Sequence, residues 1–469
     1  MGHGHLMRPA LRHFKAAVPA ILLVVVALPL LVTACGSDSG STTTTGPTAT
    51  TAPATGAEPD PSSDEIQLAM SEMARLEPAA SLMEVLSAAY SLQAFGVDLY
   101  GVLAPEAGNG NLAFSPSSIV TALAMTYAGA AGVTAEEMAA TLYFDMEGDA
   151  LHQAFNSLDT TLESRTWQQK NAEGKEEGVL IKTANSLWGQ KDTVFERIFL
   201  DTLAANYGAG IRLVDYKTAA EEARQAINGW VAGETNDKIT ELIPEGILDA
   251  LTRLVLVNAI YLDATWTTQF DPELTVDGEF TTLAGDVVTA PMMTQQFPFS
   301  YGSDEGWQAV ELPYVGNQVA MLMIVPDEGR FAEVEGRLAD GLIDEAIASL
   351  TPGVEVHLTM PKFEFRTQAG LSDALVALGM KSAFDAGTAD FSGMTTAEEL
   401  FISDVIHEAY IAVDEEGTEA AAATAVVMRA TAMPLEVAEL TIDRPFLFAL
   451  RDLETGALLF LGRVTDPTA

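Results

Sequence analysis

Two polar residues set in apolar runs, Asn258 in LVLVNAIYL and His407 in DVIHEAYIAV, with the hydroxyls of Ser115 and Ser118 in FSPSSI, are the first places in this chain where chemistry could reside. A histidine near hydroxyls can serve a catalyst, but inside an apolar run it is more often a hydrogen-bonded core residue. The motifs that organise hydrolytic chemistry, GxSxG, HExxH and SxxK, do not occur. His407-Glu408 resembles the start of a zinc motif, yet Ile411 stands where the second histidine belongs, and His3 and His5 are too few and too near the start. The chain is therefore not read as an enzyme, and neither a metal nor a cofactor is expected. Asn258 and His407 would be costly to bury alone, and the hydroxyls of Ser115 and Ser118 are suitable partners.

The elements that must position these residues are strands. Arg253 to Leu262 is a short continuous apolar run, the mark of a fully buried strand, and Val405 to Val413 reads as a second. Directly after the second comes EEGTEAAAATAVVMRATA, from Glu415 to Ala432. Its small side chains fit a buried strand or an exposed loop, and its alanines fit a helix as well. As a strand it would alternate: Thr418, Ala420, Ala422, Thr424 and Val426 on one face, Glu419, Ala421, Ala423, Ala425 and Val427 on the other. Side chains this small can slip between existing strands without overpacking, and Gly417 can act as the pivot.

Composition narrows the partners. The 469 residues, 48% hydrophobic, suffice for one large domain or two ordinary ones. Lys plus Arg number 24 against 66 Asp plus Glu, a formal charge of -42. That balance excludes nucleic acid, whose affinity depends on neutralising phosphates, and disfavours anionic surfaces; it suits solubility and could steer a basic protein partner. At the N-terminus, basic residues to Lys15 precede an apolar run from Ala16 to Val32 and then Val32-Thr33-Ala34-Cys35, the pattern of a bacterial lipoprotein signal. The run is short for a membrane span and contains Pro19 and Pro29. Residues 1–35 are thus expected to be a signal peptide with Cys35 as the lipidated residue, the only membrane attachment expected. Cys35 is also the sole cysteine, so no internal disulfide is possible. Residues 36–64, rich in Ser, Thr, Pro, Gly and Ala, read as a flexible tether. From Glu65 to about Tyr100 the apolar spacing at Leu82, Val85, Leu86, Ala89 and Tyr90 suggests a helix and the start of the folded domain, 65–469.

From about Leu86 to Pro467 the chain resembles the serpin family. The matching stretches include NLAFSPSSIVTALAMTYAGAAGVTAEEM, ANSLWGQ, INGWVAGETNDKITELI, LVLVNAIYLDATW, VELPYVGNQVAMLMIVPD, VHLTMPKFEF, LFISDVIHEAYIAVDEEGTEAAAATAVV and DRPFLFALRD, in one order. The resemblance implies an α+β fold with a large central mixed sheet, additional sheets, about eight or nine helices and an exposed reactive-centre loop. It implies a monomer that inhibits serine proteases by suicide, while the N-terminal signal pattern is what places it outside the cytoplasm, as a cell-envelope lipoprotein or secreted. The loop is cleaved as substrate and inserts into the central sheet. Its hinge would be Glu415, Glu416, Gly417, Thr418, Glu419, Ala420, Ala421, Ala422 and Ala423. The reactive bond would be Thr431-Ala432, suiting elastase-like or subtilisin-like proteases, with Arg429-Ala430 as the alternative for trypsin-like ones. Ser115, Ser118, Asn258 and His407 match the cluster that governs sheet opening, and Trp266 matches the top of the sheet. Leu262-Asp263-Ala264 and Pro313 depart from the family pattern near Glu415. A non-inhibitory serpin acting as a binding or chaperone-like protein is the other reading, against which stands the absence of bulky or Pro residues from Gly417 to Val427.

Overall fold

A computed structural model describes residues 66–170, 176–418 and 437–469. Cys35, the tether, and residues 419–436, which hold Glu419, Ala420 to Ala423, Arg429, Ala430, Thr431 and Ala432, lie outside the described residues.

Among the described residues, two sheets and nine α-helices form the fold, in the α+β class expected. The first sheet has eight strands. Its middle is built from the long strand Glu176–Gln190, then Leu254–Thr265, then Asp404–Val413, then Phe363–Gly370, while Gln67–Ala69 and Ile211–Val214 form one edge. Leu254–Thr265 and Asp404–Val413 run parallel, paired from Asp404 with Val255 to Ala409 with Ile260. Both were legible as apolar runs because both of their faces are covered. Leu256, Ile260 and Leu262 enter the main core, shared with Val405, Ala409 and Ile411. Val255, Val257 and Tyr261 enter a second core with Ile406 and Tyr410, beneath helix Tyr216–Glu234.

Beside the first sheet, the described residues form a second, continuous sheet of nine strands. The 18-residue strand Val287–Asp304 accounts for this, pairing with Val276–Thr281 and Thr351–Pro361 along one stretch and with Trp307–Pro313 along another. The short strand Ala438–Thr441, where the chain becomes described again, lies parallel at its edge.

The N-terminal expectation needs correction. Residues 66–81 are not helical: strand Gln67–Ala69 is followed by irregular chain, and the helix is Leu82–Ala107. Ser81 caps it, its hydroxyl accepting from the Glu84 amide while the Glu84 side chain returns to the Ser81 amide. The buried stripe runs through Val85, Ala88, Ala89 and Leu92, whereas Leu82 and Tyr90 are exposed. No helix among the described residues is long and apolar enough to cross a membrane.

Candidate functional site

The expected cluster assembles from three neighbouring strands and one helix N-terminus. Asn185 is in register with Asn258, and Asn258 with His407, so a polar row crosses the sheet. It meets the start of helix Pro116–Tyr127, whose cap is Ser115: the Ser115 hydroxyl accepts from the Ser118 amide at 3.2 Å. The Ser115 backbone N–H donates to His407 Nε2 at 3.1 Å. Nε2 is therefore the acceptor nitrogen, and Nδ1–H faces Asn258 Oδ1. Asn258 Nδ2 donates to Ser118 Oγ and to Asn185 Oδ1, each at 2.6 Å, and the Ser118 hydroxyl donates to the same Oδ1 at 2.6 Å. Ser115, Ser118, Asn258 and His407 are at most 1% exposed. Burial drives the His407 pKa down to about 3, so the ring is neutral throughout the physiological range. With no nucleophile-and-base geometry and every ring nitrogen engaged, the arrangement joins strands to a helix.

The opposite end of the same two strands is built differently. Beyond Ala409 and Ile260 they are no longer paired, and Gly417–Thr418 lies between them, Thr418 opposite both Ala264 and Val413. Gly417 is obligatory, since an added Cβ would lie 1.9 Å from the Ala264 carbonyl oxygen. Thr418 is 2% exposed and points into the main core, where its hydroxyl meets Tyr314 Oη at 2.6 Å. Tyr314 in turn stacks on Trp266, with centroids 4.4 Å apart and planes 9° from parallel. Trp266 Nε1 donates to the Asp414 carbonyl at 3.1 Å, and its backbone N–H to the Glu416 carbonyl at 2.8 Å.

Glu415 is 7% exposed and ends the site on its outer side. Its carboxylate accepts from Lys362 Nζ at 2.6 Å and from the Thr275 hydroxyl at 2.7 Å. Burial alone would raise its pKa, but these two bonds outweigh burial and leave it below the usual carboxylate range. The Leu262-Asp263-Ala264 and Pro313 departures leave these contacts in place. The structure therefore places Trp266, Glu415, Glu416, Gly417 and Thr418 together and the four cluster residues together. Sequence reading missed Asn185, Tyr314, Lys362 and Thr275. Asn185 lies in ANSLWGQ, where polar and apolar residues mix, and like the others it reaches the site only through the fold. Among the described residues no group of acidic, His or Cys side chains could hold a metal.

Known proteins resemble this chain over the same span. The profile of the serpin (serine protease inhibitor) family matches residues 90–467. Leukocyte elastase inhibitor A of Mus musculus is 38% identical, covering 82% of this chain and 100% of its own. An uncharacterised serpin-like protein of Thermococcus kodakarensis is 39% identical over 80% of this chain and 85% of its own. Among solved structures, the thermophilic serpin tengpin in its native state superposes with a TM-score of 0.72 at 25% identity, covering 86% of this chain and all of that one. Thyroxine-binding globulin in complex with thyroxine gives 0.71 at 27%, covering 83% and all of that chain. With the sheet, the polar cluster and the wedged Gly417–Thr418 all in place, this chain belongs to the serpin family of serine protease inhibitors.

Proposed function

We propose that the protein is a suicide inhibitor of serine proteases, and that Gly417–Thr418 is the first step of the strand its loop adds on cleavage. The observation that carries this is register. Thr418 stands opposite Ala264 and Val413, so continuing antiparallel would set residues 419–427 between strands paired today from Asp404 to Ala409. In that register Thr424 falls opposite Asn258 and His407 together, on the inward face with Thr418. A hydroxyl would then enter where the two cluster residues must part, keeping buried polar groups satisfied. Ala420, Ala422 and Val426 share that face, and Glu419 points away from it.

The protease attacks the loop and becomes joined to it as an acyl-enzyme. Insertion then carries it along. At about 3.3 Å per strand residue the cargo travels roughly 50 Å. The pull distorts the protease active site, where displacement by about 1 Å can cost a hundredfold in rate, and deacylation fails for want of an intact oxyanion hole. Thr431-Ala432 is the proposed reactive bond, with Arg429-Ala430 as the alternative. The elastase inhibitors among the relatives support a target with a small primary pocket, while subtilisin-like enzymes fit the same residue. Cys35 is the proposed lipid anchor, residues 36–64 the tether, and the folded domain a monomer outside the cytoplasm.

Incubating the purified protein with elastase-, subtilisin- and trypsin-like proteases tests this directly. The expected products are an adduct that survives denaturing gels and a released C-terminal peptide beginning at Ala432 or Ala430. Clean cleavage without adduct across the panel would leave a non-inhibitory serpin instead.

A further inference from the structure

A groove of about 510 Å³ opens between the second half of helix Leu82–Ala107 and the short helix Phe331–Gly336. It shares no residue with the polar cluster or with the Gly417–Thr418 site, and its size falls within the range of about 300 to 1,000 Å³ that small organic ligands occupy. Helix Leu82–Ala107 lines it with Val97, Tyr100, Gly101 and Ala104, at the spacing that shares one helix face. Phe331, Ala332 and Glu335 line it from the shorter helix, and Arg463 from strand Leu458–Val464. Two glycines keep it open. Gly101 stands inside one helix and Gly336 ends the other, neither has a positive φ, and a Cβ added at either would meet nothing within 4 Å. No close approach therefore requires them. A glycine inside a helix is less favourable than alanine, so Gly101 carries a cost that no contact explains, and what it leaves is room in the groove.

The polar groups among these walls are fixed in place. Arg463 is buried, and four of its five N–H donors are engaged. Nη2 donates to the Ala104 carbonyl at 3.1 Å and the Gly108 carbonyl at 2.6 Å, Nε to the Gly110 carbonyl at 3.2 Å, and Nη1 to Glu335 Oε1 at 2.7 Å. The buried Tyr100 hydroxyl donates to the same Oε1 at 2.7 Å. Glu335 Oε2 accepts no hydrogen bond among the described residues, and the Glu335 side chain is 20% exposed against 3% for Arg463. The polar atom that a ligand in the groove would meet is thus a carboxylate oxygen, oriented from behind by a tyrosine and an arginine.

We infer that this groove binds small apolar amines, with an aromatic or aliphatic body lying over Gly101 and Gly336 and a protonated nitrogen donating to Glu335 Oε2. Charge favours that class. A formal charge of -42 raises the concentration of cations around the protein, whereas an anion would meet a carboxylate and an arginine whose donors are almost all taken. The inference is independent of the proposed insertion mechanism, because none of these residues belongs to the strands that part.

The test titrates dansylcadaverine, an apolar fluorophore carrying a primary amine, into the purified full chain at about 0.15 M salt, where diffuse attraction to an acidic surface is screened. Dansylamide, which lacks the amine, is the comparison. Fluorescence should saturate at one dansylcadaverine per chain, and dansylamide should bind about tenfold more weakly, since a charge-assisted hydrogen bond carries about that factor. Ala332→Trp and, from the other helix, Gly101→Leu fill the groove and should each abolish binding; Gly101→Leu also favours the helix, so the fold is kept. Glu335→Gln retains an acceptor for Tyr100 and Arg463, and should weaken dansylcadaverine about tenfold while leaving dansylamide unchanged. Binding that does not saturate, that survives both filling variants, or that is equally tight for the two probes overturns the inference.

Discussion

Strands Leu254–Thr265 and Asp404–Val413 are one pair with two different ends. At one end Gly417–Thr418 already separates them, and the Trp266–Tyr314 stack beneath makes the gap a packed site. At the other, six residue pairs and a buried polar network hold them together. The difference teaches where the barrier to the proposed insertion would lie. Gly417–Thr418 already stands between the strands, so what that insertion would have to overcome is the parting of residues 404–409 from 255–260, and above all the parting of His407 from Asn258.

The sharpest way to break this comparison is to close the open end. Thr418→Arg would place a long cation against Tyr314 and Trp266 in the main core, and a buried charge costs several kcal/mol there. Inhibition should fall at least about a hundredfold, with the protease cleaving the loop and leaving free. Stoichiometric inhibition by this variant, measured by titrating residual protease activity, would mean that Thr418 does not lead the insertion. At the closed end, His407→Ala removes the acceptor of the Ser115 amide and the partner of Asn258 Oδ1. Leaving those groups unsatisfied should cost about 3 kcal/mol and lower the midpoint of thermal unfolding by several degrees. Insertion should also become easier, read as faster conversion of uncleaved protein. An unchanged midpoint would show that the network contributes nothing to closure.

How much of this could be read beforehand differs between the two ends. Asn258 and His407 stood out because each is polar within an apolar run, and Ser115 and Ser118 because FSPSSI offers hydroxyl partners and resembles the family's cluster. Asn185 did not, since ANSLWGQ mixes polar and apolar residues and its burial comes from the neighbouring strand. At the open end Gly417 and Thr418 were visible in the small-residue pattern. Lys362 and Thr275 were invisible, lying 53 and 140 residues from Glu415 with nothing local to mark them. The docking of residues 66–80 escaped for another reason. Its strand is only three residues long, so alternation had no room to appear, and what fixes it is a glycine just before the receiving strand and one arginine.

The two faces of Asp404–Val413 sharpen the comparison through pH. Toward helix Tyr216–Glu234 lie two carboxylates, Glu408 raised by burial to about 7 despite Arg366, and Asp404 raised by burial and Asp249 to about 6. Their folded pKa values exceed the unfolded ones, so the native state holds protons that the unfolded state has released. Their contribution to stability is therefore complete below about pH 4 and lost as pH rises through 6 to 7. His407 on the other face has the reverse sign: its folded pKa is depressed, so its contribution is present above about 6.5 and lost as pH falls toward 3. Glu408→Gln should raise stability at pH 8 by about 2 kcal/mol and change it little at pH 4.5, leaving Asp404 as the group whose contribution is still lost as pH rises through 6. Equal effects at both pH values, in denaturant unfolding, would assign the gain to packing.

The smallest expected effect tests whether the open end is held open or merely tolerated. Lys362 is about a third exposed and bonded to a nearly buried Glu415, so the pair is screened on one side only. Lys362→Ala would leave the Thr275 hydroxyl as the side-chain partner of Glu415, a loss of about 1 kcal/mol once solvent screening is allowed for. Because Glu415 anchors the residues that turn the chain into the gap, this small loss should appear less in global unfolding than in hydrogen exchange at Glu416, Gly417 and Thr418, whose amides should exchange several-fold faster. Lys362→Arg should restore most of the protection, since a guanidinium can reach the same carboxylate. Faster exchange throughout the sheet in place of this local change would mean that the two ends are not separate regions, and that the barrier is shared along the whole length of the paired strands.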